Sequence, residues 1–374
     1  MHKVKFLFVV IFLTVLSVPY LNMELSIIPD IRLEENRTVS KKPVFLLDEF
    51  YNYLDEYKNY FNDNYGFRNF LVNAFINLKY LYYKKSPLPD RVVDGKEDWL
   101  FISPEFDVTI SDKIDYLSTD VFKLLEDTLL SKTRNFKKAG INYYILLTPE
   151  KSYVYNEFLP VNYNPKRIES RFDTLLSRLE KNSELNIINV NDVLKKAKVQ
   201  SSEEIYMRYD AHWNGIGAFY AYSHLISQLM VDYPTLLAKQ VSEYKTTKYQ
   251  KPTGDLATQI NINQYVKNTD YLIECDDKKC TKDSVLKSEK SLHNYAFTNT
   301  YNNQKPDVLF MHDSFGATFL PWMINDFHVL HSLRMTNMDF NVNDFVQLGP
   351  KIVIHQFVPR HSTIYKSLKK GDAN

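Results

Sequence analysis

Three residue types that together activate a serine hydroxyl occur in two short motifs of this chain. Asp210 and His212 stand two positions apart, directly ahead of a helical pattern, and Ser314 follows a strongly apolar strand pattern. A serine becomes a useful nucleophile when an imidazole takes its proton and a carboxylate holds that imidazole in the right tautomer. The sequence therefore predicts a site with Ser314 as nucleophile, His212 as general base and acid, and Asp210 as its orienting group.

Most other residues in or near these motifs are expected to support the structure rather than the chemistry. Asp313 is expected to support the turn at Ser314, and Asp255 is expected to be structural. Trp213 is expected to pack, or to contact a sugar if it is exposed beside the site. Lys151 is expected to be a solvated loop charge rather than a residue that supports the site.

Strand and helix patterns alternate around the motifs. Short apolar runs that suit buried strands lie at 143–147, 187–190, 307–311, 327–331 and 351–356. Helical patterns lie at 118–139, 167–181, 214–230 and 315–324. This alternation predicts an α/β fold with a mostly parallel sheet flanked by helices. Sites in such sheets lie at the carboxyl ends of strands, which is where the pattern puts Ser314.

The first residues indicate export. Lys3 and Lys5 precede residues 6–23, which carry no charge and approach the roughly 20 residues needed to span hydrocarbon. Because no small-residue cleavage pattern follows, we expect an uncleaved signal anchor, with a cleaved signal peptide as the alternative. The expected location is the cell membrane, with a single pass and the body in the periplasm or extracytoplasmic space.

Composition limits the classes of protein that fit. The chain has 374 residues, 44% hydrophobic and 24% charged, which is ordinary for a globular protein. Its net charge of +1 gives no field that favours nucleic acid. Cys275 and Cys280 cannot build a zinc site alone, and we expect them to form a small disulfide loop, with two free thiols as the alternative. No nucleotide, metal or flavin motif is visible, so no cofactor and no metal are expected.

A series of short segments suggests a family. The chain resembles the SGNH-hydrolase-like O-acetyltransferases of the alginate acetylation type, the AlgJ and AlgX group, and the related DHHW proteins. The segments that carry the resemblance are NYGFR at 64–68, GKEDWLF at 95–101, TPEK at 148–151, YDAHW at 209–213, GDL at 254–256 and DSF at 313–315. Each is weak alone, and their order and spacing make the match specific.

The resemblance implies the chemistry. Similarity to this family implies Asp210, His212 and Ser314 as the triad, and acetyl transfer through an acetyl-serine to hydroxyls of a cell-surface polysaccharide or exopolysaccharide. It also implies a membrane-bound O-acyltransferase that delivers the acetyl donor. The Ser314 backbone N–H and Arg334 are the candidate oxyanion donors, and Trp213 is a candidate substrate contact. With the residue patterns, the resemblance divides the chain into a signal anchor (1–23), a linker with a helical lead-in (24–88) and an SGNH-like acetyltransferase domain (89–374).

Two positions depart from the family pattern. His312 stands where the family has a glycine, a change able to narrow the pocket or redirect the backbone, and Pro359 replaces the acid before Arg360. These departures keep two other functions open. One is a carbohydrate esterase that removes acetyl groups, and the other is a carbohydrate-binding or assembly protein with a degenerate site.

Overall fold

The structure, a computed structural model, describes most of the chain. It covers residues 2–29, 39–45, 47–103, 119–160, 165–274, 285–291, 294–299 and 302–368. The two cysteines, and with them the predicted disulfide loop, lie outside the described residues. The chain forms two compact units, the first comprising Met1–Leu88 with Ala257–Val266 and the second Pro89–Leu256 with Lys267–Asn374.

Helices and strands alternate through the second unit, while helices make up most of the first. The α-helices are α1 (His2–Leu25), α2 (Phe50–Asn64), α3 (Arg68–Tyr83), α4 (Thr119–Lys138), α5 (Lys151–Val154), α6 (Pro165–Glu180), α7 (Asn191–Gln200), α8 (Gly215–Leu229), α9 (Asp255–Gln259), α10 (Leu320–Asp326), α11 (Asn343–Val346) and α12 (Ser362–Leu368). The strands are β1 (Val92–Asp94), β2 (Leu100–Ile102), β3 (Asn142–Leu147), β4 (Asn186–Asn189), β5 (Lys245–Lys251), β6 (Asn268–Glu274), β7 (Val285–Ser291), β8 (Asn294–Asn299), β9 (Val308–His312), β10 (Val329–Arg334) and β11 (Ile352–Phe357).

A seven-stranded sheet forms the centre of the second unit. Its strand order is β4-β3-β11-β9-β10-β8-β7. The first five strands run parallel, and β8 and β7 join in antiparallel pairing. All residues of β9 and β11 are buried, as expected for strands covered by helices on both faces. The predicted α/β fold with a mostly parallel sheet is confirmed.

The segment after Ser314 departs from the predicted single helix over 315–324. A 3-10 turn at Gly316–Phe319 comes first, and α10 then begins at Leu320 with Pro321 in its first turn. Proline is tolerated there because the backbone N–H of a first-turn residue has no partner inside the helix. Pro321 therefore starts a helix rather than interrupting one.

The pairing of β5 with β6 in a separate two-stranded antiparallel sheet was not predicted. β5 reads KTTKYQK, and six of its seven residues are exposed. A strand without apolar alternation gives no periodic signal in the sequence. This sheet nevertheless supplies one wall of the cavity described below.

The first unit joins α1 to the turn between α2 and α3. A Cβ on Gly66 would lie 2.0 Å from the carbonyl oxygen of Pro19, so only glycine permits this approach. Asn22 and Met23 are buried, whereas the side chains before Pro19 are largely exposed. By length and composition α1 is able to cross a membrane.

Candidate active site

A closed loop positions the predicted aspartate and histidine. The His212 loop (residues 205–214) joins α7 to α8, and its two arms bond to each other through the backbone. The N–H of Met207 donates to the carbonyl of His212 at 3.2 Å, and that of Asn214 donates to Ile205 at 3.1 Å. The Asn214 side chain accepts the N–H of Gly217 and so caps α8. The last residue of the loop therefore caps α8, a largely buried helix, and this contact fixes the C-terminal end of the loop.

The imidazole of His212 connects the other two predicted residues. Its Nδ1 lies 2.7 Å from Oδ1 of Asp210, and its Nε2 lies 2.8 Å from Oγ of Ser314. The ring packs against Phe315, with centroids 4.5 Å apart. The structure thus brings together the three residues that the sequence singled out, in the order a serine nucleophile needs.

Asp210 is held as a carboxylate. Its Oδ1 also accepts the backbone N–H of His212 at 3.0 Å, and its Oδ2 accepts that of Asp255 at 3.1 Å, with Nζ of Lys251 at 3.4 Å. Burial alone would raise the pKa of Asp210, but the bond to His212 and the charge of Lys251 hold that pKa well below its usual range. Asp210 is therefore suited to stabilise an imidazolium.

Asp313 supports the Ser314 turn (residues 313–316), as expected. Its carboxylate accepts the N–H groups of Phe315 and Val358, both at 2.8 Å. Burial opposes its ionisation, but His361 and these N–H groups keep the pKa of Asp313 below its ordinary value. The N–H of Ser314 itself has no acceptor among the described residues, and it remains free to bind an oxyanion.

Gln356 is a residue that sequence reasoning missed. Its Oε1 accepts the N–H groups of Asp313 and Gly316, both at 3.1 Å, and its Nε2 donates to Oγ1 of Thr148 at 2.8 Å. The buried amide of Gln356, at the end of β11, thus connects the Ser314 turn after β9 with Thr148 after β3. The signal in the sequence is a pair of polar residues, His355 and Gln356, inside an otherwise apolar strand, since buried polar groups need partners.

Lys151 is not the solvated loop charge that was predicted. It is buried, and its Nζ donates to the carbonyls of Met207, Arg208 and Asp210 at 3.0, 3.0 and 2.5 Å. Burial lowers the pKa of Lys151 to about 7, although the carboxylates of Asp255 and Asp210 oppose the shift. The side chain of Lys151 therefore holds three backbone carbonyls of the His212 loop in place.

Asp255 has a larger role than the structural one predicted from the sequence. Its Oδ1 accepts the N–H of Ala211 at 2.6 Å, and its Oδ2 lies 3.5 Å from Nδ1 of His212. Burial and the charge of Asp210 raise the pKa of Asp255 above its ordinary value. A second carboxyl group thus faces the imidazole beside Asp210.

Asp210, His212 and Asp255 present one ligand atom each within 4.8 Å of one another, a set able to hold a cation. These atoms already bond to each other, and the Lys251 ammonium lies beside them. The ammonium of Lys251, 3.4 Å from Oδ2 of Asp210, would repel a metal ion bound to these three residues. The arrangement fits a hydrogen-bonded network better than a metal site.

Trp213 and Arg334 take different positions. Trp213 is buried, donates from Nε1 to Thr318 at 2.9 Å and stacks on Phe319, while one edge reaches the cavity wall. Arg334 lies exposed at the end of β10 and does not line the cavity. The contacts of Trp213 are those of a packed side chain. The oxyanion role of Arg334 stays a prediction, and the position of Arg334 outside the cavity lining does not support it.

The two departures from the family pattern are accommodated away from the cavity. His312 is buried against Phe310, with its ring nitrogens 2.6 Å from the Asp313 carbonyl and 3.0 Å from Oγ of Ser332. It does not narrow the cavity. Arg360 pairs with Glu150 at 2.7 Å, so an acid from another segment stands beside it.

A cavity of about 570 Å³ opens beside Ser314 and His212. Its further wall comes from the ends of β5 and β6 and from the first turns of α10. The lining residues of that wall are Tyr249, Lys251, Asp270, Tyr271, Leu272, Ile273, Glu274, Pro321, Trp322 and Asn325. Aromatic faces thus lie next to charged groups, a lining that suits a ligand with both apolar faces and hydroxyl groups.

A mostly parallel α/β sheet with these residues at its carboxyl edge defines the SGNH-hydrolase-like class. The family model described as "SGNH hydrolase-like domain, acetyltransferase AlgX" matches residues 92–319, and the chain belongs to this family. The predicted recognition is confirmed. A comparison with curated proteins gives no match.

Solved structures show the same fold. Bacillus cereus PatB1 is 15% identical, with a TM-score of 0.53 over 72% of this chain and 96% of that chain. The same protein with a sulfonyl adduct is 13% identical, with a TM-score of 0.53 over 71% and 93%. A DHHW family protein from Eubacterium siraeum is 15% identical, with a TM-score of 0.51 over 75% and 94%.

Proposed function

We propose that this chain is an extracytoplasmic O-acetyltransferase that acts on a polysaccharide through an acetyl-serine. The observation that carries the proposal is the continuous hydrogen-bonded chain from Asp210 through His212 to Ser314 at the mouth of the cavity. Membership of an acetyltransferase family supports the acyl group, and the aromatic and charged cavity wall supports a sugar acceptor.

The mechanism has two steps. His212 takes the proton of Ser314 as Oγ attacks the acetyl carbonyl, and the imidazolium then protonates the leaving group of the donor. The Ser314 N–H stabilises the oxyanion, and Asp210 stabilises the imidazolium. A sugar hydroxyl next loses its proton to His212 and attacks the acetyl-serine. Collapse of the second oxyanion releases the acetylated sugar and returns the proton to Ser314.

The location and the donor are part of the same proposal. Lys3 and Lys5 remain cytoplasmic, α1 crosses the membrane, and the chain after α1 lies outside. The resemblance to the alginate acetylation proteins supports a membrane-bound O-acyltransferase as the protein that delivers acetyl groups.

The test separates transfer from hydrolysis. The purified full-length chain, incubated with 4-nitrophenyl acetate, is expected to carry one acetyl group on Ser314 by peptide mass spectrometry. Addition of an oligosaccharide is expected to remove that group and to yield acetylated sugar. Free acetate with no acetylated sugar would reject transfer in favour of an esterase. No adduct on Ser314 would reject the acetyl-serine and leave a binding protein.

The substitution Lys151→Met tests whether the buried ammonium group holds the His212 loop in position. We expect the free energy of unfolding to fall by about 3 kcal/mol, because buried backbone carbonyls lose their donor. A displaced His212 loop is expected to lower acetyl transfer by about tenfold or more, since small misplacements of a catalytic group are costly. Chemical denaturation and initial rates measure the two effects.

Lys198→Met is the matched control. Nζ of Lys198 donates to the carbonyl of Val154 at 2.7 Å and pairs with Glu157, and neither partner belongs to the His212 loop. A loss below about 1 kcal/mol and unchanged rates are expected. Equal effects of the two substitutions would show that Lys151 has no special role.

A further inference from the structure

The two faces of α3 differ sharply in what they contact. On one face Ile76 and Tyr80 are buried, the ring of Tyr80 stacks on Tyr265 at 5.8 Å, and Asn77 accepts a hydrogen bond from the Tyr265 hydroxyl. The opposite face, about half a turn away at 3.6 residues per turn, is an apolar stripe. We define this stripe as Leu71, Phe75, Leu78 and Tyr82, with spacings of four, three and four residues.

The stripe is exposed. Leu71, Phe75 and Leu78 are 52%, 52% and 53% exposed, and Tyr82 is 78% exposed. Nothing in the part of the chain that the structure describes covers them. Soluble proteins bury the apolar face of an amphipathic helix and keep its polar face in water. Here the apolar face points outward, which marks an interaction surface rather than a packing face.

The position of α3 in the first unit indicates the occupant. α3 begins two residues after Gly66, which touches Pro19 inside α1. The side chains of α1 are exposed along its apolar length, and it buries only Asn22 and Met23 in its last turns. The exposed apolar side chains of α1 continue past Pro19 to Leu21 and Leu25, so the turn before α3 meets α1 in the last two turns of that length. If α1 spans a bilayer, α3 starts near the bilayer surface.

Charge points to the same occupant. The sequence of α3 contains no acidic residue, and its two cationic residues, Arg68 and Lys79, lie within about 40° of Phe75 around the helix. Nζ of Lys79 lies 5.5 Å above the Phe75 ring. Lysine and arginine at the edge of an apolar helical face place their charges among anionic headgroups while the stems stay in the apolar layer.

We propose that α3 lies in the surface of the bilayer that α1 crosses, with the apolar stripe in the boundary between headgroups and acyl chains. The proposal rests on the anchor role of α1 given above. A helix of this kind inserts by about 5–10 Å and adds a second attachment beside the spanning segment. The first unit is thereby held against the membrane at two places rather than one.

The experiment uses the full-length chain with Cys275→Ser and Cys280→Ser, so that one introduced cysteine carries a fluorescent label. Leu78→Cys is placed on the stripe, and Val231→Cys, an exposed position of the second unit, is the matched control. Each protein is reconstituted in phosphatidylethanolamine–phosphatidylglycerol vesicles that contain lipids with a nitroxide on the acyl chain. We expect the label at position 78 to be quenched several-fold more strongly than the label at position 231.

Two other results would overturn the proposal. A label at position 78 that is quenched by aqueous iodide and not by the lipid lies in water. A label that neither quencher reaches is covered by protein, a second copy or another partner. Retention of the chain on vesicles after alkaline carbonate reports on α1 separately. A chain that is retained but not quenched at position 78 therefore rejects the role of α3 and leaves the anchor intact, whereas loss of retention rejects both.

Discussion

Ser314→Ala is expected to lower kcat for acetyl transfer by about 10⁴-fold or more, because it removes the hydroxyl that attacks the acetyl carbonyl in the proposed mechanism. Stability should change by less than about 1 kcal/mol, since among the described residues Oγ of Ser314 bonds to the partly exposed ring of His212 and to no buried group. Initial rates with an acetyl ester and an oligosaccharide measure the loss. A sulfonyl fluoride, of the class that leaves a sulfonyl adduct, should label the parent chain and not this variant.

The chain contains a matched control for this change. Ser332 also bonds to a histidine, His312, at 3.0 Å, but neither residue lines the cavity. Ser332→Ala is expected to cost about 1 kcal/mol of stability and to leave kcat within a few-fold of the parent. If both alanine variants lose activity alike, or if Ser314→Ala stays active and labelled, the nucleophile lies elsewhere.

Asp210→Asn is expected to lower kcat by about 10³-fold. An amide that donates to Nδ1 of His212 favours the tautomer with its proton on Nε2, which cannot accept the proton of Ser314. The loss should be incomplete because Oδ2 of Asp255 lies 3.5 Å from the same nitrogen and is able to replace the lost acceptor. Initial rates and thermal unfolding together separate this effect from unfolding.

Asp255→Asn and the double variant complete the measurement. Asp255→Asn alone should lower kcat by less than about twofold, because Asp210 keeps the imidazole oriented. The double variant should lose about tenfold more than Asp210→Asn, and such coupling is the signature of two groups that share one partner. A double variant no worse than Asp210→Asn would reject the reserve role of Asp255, and an unaffected Asp210→Asn would reject the role of Asp210.

Much of the central fold follows from the sequence because apolar runs and helical periods are strong in the second unit. The strands at 143–147, 307–311 and 351–356 lie within one residue of β3, β9 and β11. Their order in the sheet follows from pairing between distant segments, which no local pattern specifies. β5 escaped prediction because a largely exposed strand has no buried face to impose alternation.

The three side chains that meet at the candidate site were predictable from the sequence, and the residues that hold them in place were not. Asp210, His212 and Ser314 are residue types that chemistry selects, so their spacing is informative. Lys151 and Gln356 act through burial and through bonds to backbone groups more than 40 positions away. A charged or amide side chain in a short motif is exposed in most proteins, and only the folded path of the chain shows where such a group is enclosed.

The two-stranded sheet of β5 and β6 supplies much of the cavity lining, and it also contacts Asp210 through Lys251. It shares no strand with the seven-stranded sheet, and it forms a wall of the cavity while the larger sheet carries Ser314 and Gln356. Tyr249 and Leu272 line the cavity, and among the described residues neither side chain bonds to Asp210, His212 or Ser314. In the proposed acetyltransferase, substitutions at these two positions are expected to change which acceptor fits while proton transfer continues. Engineering for a new glycan would therefore start at Tyr249 and Leu272 rather than at Lys251.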